Sequence, residues 1–146
     1  MQMKPYSLIL LTFLVIMLAG TAMAERLSVN VSLANIRSGP GTQYKTLWKV
    51  EKHHPIEVIK KSDTWYYFRD FEGDKGWIFQ DLVSNVPSII VIKNKCNVRS
   101  GPGTNLNIVF TVEKGVPLKV IKRKGEWIHI QHADGDKGWI HKTLVW

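Results

Sequence analysis

Downstream of residue 26 the apolar positions alternate with polar ones at a spacing of two, and no helical period is sustained. Ala34 and Ile36 alternate with Asn35 and Arg37, and the run then breaks at Ser38-Gly39-Pro40-Gly41. Proline removes a donor there, and the flanking glycines permit turn conformations closed to other residues. Further strands are expected over Thr46 to Val50, Pro55 to Lys61, Trp65 to Arg69 and Lys75 to Phe79. The last two are separated by the hairpin turn Glu72-Gly73-Asp74. Within the fourth strand, alternation sends Tyr66 and Phe68 to the core and leaves Trp65, Tyr67 and Arg69 outward.

The whole pattern then repeats at an offset of 62 residues, without a gap. Asn35-Ile36-Arg37-Ser38-Gly39-Pro40-Gly41-Thr42 returns as Asn97-Val98-Arg99-Ser100-Gly101-Pro102-Gly103-Thr104. Val58-Ile59-Lys60 returns as Val120-Ile121-Lys122, and Gly73-Asp74-Lys75-Gly76-Trp77-Ile78 as Gly135-Asp136-Lys137-Gly138-Trp139-Ile140. Two consecutive all-β units follow, over residues 27–84 and 89–146, with a linker at 85–88 whose Pro87 interrupts strand pairing. Strands this short and this numerous suit small barrels, closed or partly closed, because closure removes exposed edges. In the second unit Ile128 and Ile130 take the core while Trp127, His129 and Gln131 face outward; Trp48 and its counterpart Phe110 keep phase with valines and read as core filler.

In its order and spacing this series of motifs resembles the bacterial SH3 (SH3b) domain, over nearly all of residues 29 to 146. The resemblance implies two consecutive SH3-like β-barrels. It also implies an envelope role, because such domains accompany cell-wall hydrolases and are thought to bind peptidoglycan. No hydrolase-like segment accompanies the two units here.

The N-terminal residues change the picture of where the protein works. A basic start at Lys4, an apolar stretch from Leu8 to Ala19 and the small-x-small run Ala22-Met23-Ala24 read as a cleaved signal peptide over residues 1–24. An uncleaved anchor is the alternative, but the apolar stretch falls short of the roughly 20 residues that span a bilayer. Thr21 stands where a lipidated cysteine would be needed, so no membrane anchor is expected. The destination is periplasmic or secreted. From Glu25 onward the chain has 19 basic and 12 acidic side chains, a net of +7, placed unevenly: residues 27–88 hold 8 basic and 7 acidic groups, residues 89–146 hold 10 and 4. Behind an export signal, that charge points to anionic envelope polymers rather than nucleic acid.

Catalytic chemistry finds little support. Cys96, the one cysteine, occupies an apolar strand position and reads as a buried hydrophobe. His129, His132 and His141 fall at no recognised metal spacing and read as surface histidines. The hairpin acids Glu72, Asp74, Asp134 and Asp136 sit where turns place solvated acids, and nucleotide, dinucleotide and serine-hydrolase motifs are missing. No enzyme, cofactor or metal is therefore expected.

The candidate ligand-binding residues are the aromatic and imidazole side chains Trp65, Tyr67, Trp77, Trp127, His129 and Trp139. For Trp77 and Trp139, packing over the barrel is the preferred role. Arg37 and Arg99, with Gly39, Pro40, Gly41 and Gly101, Pro102, Gly103, read as structuring the turn, the arginines by donating to its carbonyls. The partner expected is peptidoglycan, as glycan or stem peptide, or another anionic polymer. The alternative is an adaptor that docks a cell-wall hydrolase or another envelope protein. If the export reading holds, protein recovered from outside the cytoplasm begins at Glu25; N-terminal sequencing that returns Met1 contradicts it.

Overall fold

A computed structural model describes residues 24–146, and the expected signal peptide, its last residue Ala24 apart, lies outside that range. The first unit contains β1 (Arg26–Val29), β2 (Leu33–Arg37), β3 (Thr46–Glu51), β4 (Pro55–Ser62), β5 (Trp65–Arg69), β6 (Lys75–Phe79), a 3₁₀ turn at Gln80–Leu82 and β7 (Val83–Ser84). The second contains β8 (Ser88–Ile90), β9 (Cys96–Arg99), β10 (Ile108–Val112), β11 (Pro117–Lys124), β12 (Trp127–Gln131), β13 (Lys137–His141) and a 3₁₀ turn at Lys142–Leu144. The described residues include no helix long and apolar enough to cross a membrane.

Each unit is one antiparallel ladder, ordered β3-β2-β6-β5-β4-β1-β7 and β10-β9-β13-β12-β11-β8. The two ends of each ladder do not pair, so the sheets curl into partly closed barrels. Three strands go beyond the sequence reading: β1, β7 and β8. None of the three was foreseen: Leu27-Ser28-Val29 keeps a period of two but is only a few residues long, Val83-Ser84 is two residues, and Ser88-Ile89-Ile90 is buried without interruption. β8 begins at Ser88, inside the segment read as linker, and Ser28 on β1 donates its hydroxyl to the carbonyl of Val86 at 2.7 Å. A short connection thus lies against the first barrel.

Alternation places the cores as its period dictates. Phe68, Ile36, Ile56 and Ile78 are fully enclosed in the first unit, and Val98, Leu118, Ile128, Ile130 and Ile140 in the second. Trp48 packs on the first core, edge-on to Phe68 with centroids 6.4 Å apart. Cys96 is buried among the second, its thiol donating to the Lys93 carbonyl at 3.4 Å.

β2 meets β6 at a single register pair, Arg37 opposite Trp77, and β9 meets β13 at Arg99 opposite Trp139. Gly76 and Gly138 stand immediately before those tryptophans. A Cβ on Gly138 would lie 2.5 Å from Val98 Cγ1 and 3.0 Å from the Arg99 carbonyl oxygen, closer than side chains pack. A Cβ on Gly76 would collide with Ile36 in the same way. Gly138→Ala is accordingly expected to lower stability by about 1 to 3 kcal/mol, the usual cost of overpacking. Denaturant unfolding measures this, and an unchanged midpoint would show that the two strands separate easily.

Candidate functional site

β5 and β6 form a two-rung aromatic ladder on the outer face of the first barrel. Trp65 lies opposite Phe79 and Tyr67 opposite Trp77, so all four side chains leave the sheet on the same side. The ring centroids are 5.6 Å apart in the first rung and 5.0 Å in the second. β12 and β13 repeat the arrangement with imidazoles: Trp127 meets His141 edge-on at 5.2 Å, and His129 stacks on Trp139 at 4.8 Å with an 11° interplanar angle.

The rungs differ in what covers them. A β-bulge after Val58 turns Lys60 toward the second rung, where its ammonium sits 5.2 Å from the Tyr67 ring and 5.6 Å from that of Trp77. Lys122, after the equivalent bulge, lies 5.5 Å from the Trp139 ring. These cation–π contacts cap the aromatic faces, and the rungs act as packing with a charged lid. Burial, with help from Lys122 and Lys137, holds His129 below the usual histidine range, and its buried Nδ1 has no partner. His129 is thus half-buried rather than the surface histidine expected.

The other rung lies beneath the glycine–proline turn. The outward direction assigned to Trp65 needs a correction: it leaves the barrel core, yet it is 9% exposed because the turn and Phe79 cover it. Trp127 in the second unit is half-buried. Between turn and rung lies a cleft of about 630 Å³, lined by Leu33, Asn35, Pro40, Thr42, Trp65 and Phe79. Its counterpart in the second unit, about 230 Å³, is lined by Lys95, Asn97, Thr104, Trp127, His141 and Leu144. Each lining residue named for the first cleft, Pro40 aside, has its 62-offset equivalent in the second.

Arg37 holds the turn in place. Its Nη1 donates to the carbonyls of Thr42 at 3.2 Å and Tyr44 at 3.0 Å, while Arg99 Nη1 donates to Leu106 at 3.0 Å. Gly39 and Gly101 are buried at the root, where a Cβ would strike Tyr44 or Leu106. Each turn is thus tied back to its own strand by an arginine.

The structure gathers Trp65 and Trp127 into these clefts and places Tyr67, Trp77, His129 and Trp139 in the lysine-capped rungs. Trp139, at 8% exposed, is buried, whereas Trp77 is half-buried. Leu33, Asn35, Thr42 and Phe79 were missed as cleft residues; the offset, applied to the positions flanking the turn, could have found them. The three histidines of the second unit go separate ways: His132 Nδ1 pairs with Asp134 at 2.9 Å, His141 Nδ1 lies 2.8 Å from the Thr143 hydroxyl, and His129 stays in its stack. Among the described residues, no group of three or more side chains is arranged to hold a metal ion.

Comparison with known proteins adds a family and several relatives. The model of the bacterial SH3 domain matches twice, at residues 30–85 and 93–146. A putative N-acetylmuramoyl-L-alanine amidase of Bacillus subtilis, YrvJ, is 25% identical over 122 residues, covering 76% of this chain and 23% of the relative. The probable cell wall amidase LytH of Staphylococcus epidermidis is 36% identical over 64 residues, covering 43% and 22%. The chain therefore spans less than a quarter of these relatives. Among solved structures, an NlpC/P60 family protein from Bacillus cereus aligns over 84% of this chain and 56% of its own, at 13% identity and a TM-score of 0.41.

The clamps give a direct expectation for stability. Arg37→Ala removes two hydrogen bonds and should cost about 1 to 3 kcal/mol, and Arg99→Ala removes one and should cost about 1 kcal/mol. Thermal unfolding of each variant checks the order, and a smaller loss in Arg37→Ala would contradict the clamp.

Proposed function

Since the chain belongs to the bacterial SH3 domain family in both of its units, we propose that it is a non-catalytic module of the cell envelope that binds peptidoglycan through its two clefts. The observation that carries this reading is the duplication of one cleft, with an indole on one wall, an asparagine beside it and a clamped turn opposite. Trp127, half-buried, offers an indole surface to the C–H groups of a sugar or to an extended peptide backbone, and Trp65 offers only what its cover leaves open, while Asn35 or Asn97 and Thr42 or Thr104 offer hydrogen bonds that orient the ligand. Clefts formed in advance spare the ligand the cost of ordering a loop.

The relatives support the cell wall as the setting, because the similar segment belongs to proteins named as cell-wall amidases. Export, as read from residues 1–24, is consistent with that setting, and so is a basic second unit facing anionic polymer. The lack of catalysis is supported by Cys96, which is enclosed in the core and whose thiol is pushed up chiefly by burial.

A repeated polymer engages both clefts, and the second binding event then occurs at a high local concentration. Co-sedimentation of the purified protein with sacculi tests this. Leu33→Ser with Asn35→Ala in the first cleft, or Asn97→Ala in the second, should weaken binding several-fold each, and the combined variant far more than either. If charge alone drives attraction, binding instead falls steeply with salt and ignores these changes. Folded protein that fails to sediment at any salt concentration moves the reading to an adaptor for an envelope protein.

A further inference from the structure

At the seam between the barrels the two units differ in a way their shared fold does not require. A pocket of about 290 Å³ opens there, walled by Trp48, His54, Asp70, Phe71, Glu72 and Asp74 of the first unit. Gly115 and Pro117 of the second unit close it. At the 62-residue offset, His54 becomes Val116, Asp70 becomes His132 and Phe71 becomes Ala133. Three substitutions thus converge on one pocket, and each makes the first unit more acidic, more aromatic or more polar there.

The charge in this pocket is unanswered. Asp70 is 7% exposed, and its Oδ1 accepts the backbone N–H groups of Glu72 at 2.9 Å and Asp74 at 3.0 Å. Burial pushes its carboxyl up against the pull of those N–H groups, and the neighbouring Asp74 and Glu72 charges add to the push. Among the described residues no ion pair reaches Asp70, Glu72 or Asp74. The second hairpin differs, because His132 stands in place of Asp70 and pairs with Asp134. Lys49 also borders the pocket, but it is exposed and alternates onto the face of β3 opposite Trp48.

His54 supplies the independent observation. It is 7% exposed, its Nε2 is buried without a hydrogen-bond partner, and its ring meets Phe71 edge-on at 6.2 Å. Desolvation pushes it down to about 4, so the imidazole is neutral and one ring nitrogen can accept a hydrogen bond. Val116 does the same packing work in the second core without a polar atom. An orphaned ring nitrogen, four carboxylates without an ion pair (Glu51 lines the pocket too) and two aromatic walls together suit a positively charged group on an apolar stem.

We infer that this seam pocket is a second binding site, distinct from the clefts, which takes a primary alkylammonium group carried on a peptide, such as the side chain of a lysine-type residue. The ammonium would face the Asp70 carboxylate, and the methylene stem would lie between Trp48 and Phe71. The pocket is slightly smaller than the roughly 300 to 1,000 Å³ of sites for whole small molecules, which suits one side chain.

The test is an NMR titration of the protein from Glu25 onward with Nα-acetyl-lysine amide, at constant ionic strength and neutral pH. The neutral isostere Nα-acetyl-norleucine amide serves as control. Saturable shifts of the Trp48 indole N–H and the His54 ring are expected with the lysine compound alone. Asp70→Asn keeps an acceptor for the hairpin N–H groups and should bind at least tenfold more weakly. His54→Val, which copies the second unit, should fold and also bind more weakly. The inference is overturned if no saturable shift occurs, if the norleucine compound shifts the same signals equally, or if Asp70→Asn binds as tightly as the parent. Sacculus binding by the cleft variants is read separately, so either site can fail without the other.

Discussion

The close approach of two backbones at a glycine is the contact on which each barrel turns. β2 reaches β6, and β9 reaches β13, through one register pair apiece, and Gly76 and Gly138 leave the space for it. That joint brings the hairpin β2–β3 onto the sheet β4–β5–β6 and so encloses the core. It also determines where the outer side chains go. Arg37 and Arg99, one residue of each joint, reach back under the turn, and Trp77 and Trp139, the other, enter the lysine-capped rungs. Core closure, turn clamp and aromatic ladder therefore share one origin.

Much of this was legible because it is local or repeated. Alternation along β5 and β12 assigned Phe68, Ile128 and Ile130 to the core, and the 62-residue offset divided the chain into two units without reference to any contact. What escaped was tertiary. β1, β7 and β8 are two to four residues each, too short for a period of two to establish a strand, and β8 is buried on both faces. Trp65 leaves the sheet on its outer side as alternation demands, but only the fold-back of a turn more than twenty residues earlier decides whether that side is wet. Glu72 and Asp74 of the first hairpin are exposed, as turn acids were expected to be, but spacing cannot show that the neighbouring Asp70 is enclosed or that another barrel lies across from it.

The duplicated geometry carries different chemistry in its two copies. Leu33 and Phe79 border a roomy, largely apolar first cleft, while Lys95 and His141 at the same places give a tighter and more basic second one. The stacked rungs diverge similarly, a tyrosine in one and a histidine in the other. The backbone framework is thus held constant while the recognition surfaces vary, as expected where function resides in sites placed on a tolerant fold.

The seam between the units is held by more than the linker. The Arg26 guanidinium of β1 lies 4.0 Å above the ring of Trp146, at the far end of the second barrel's sequence. Trp146 is itself paired through its backbone to Ile90, while Ser28 holds the Val86 carbonyl. These contacts tie the intervening chain to both units, which sets it apart from a loose tether. Each such contact narrows the range of separations at which the two clefts can meet one ligand. A polymer whose repeat matches that interval gains the full advantage of two contacts, and one whose repeat does not must bend or forgo the second. For the binding role proposed above, contacts at the seam would make the pair of clefts respond to a ligand's length as well as to its chemistry.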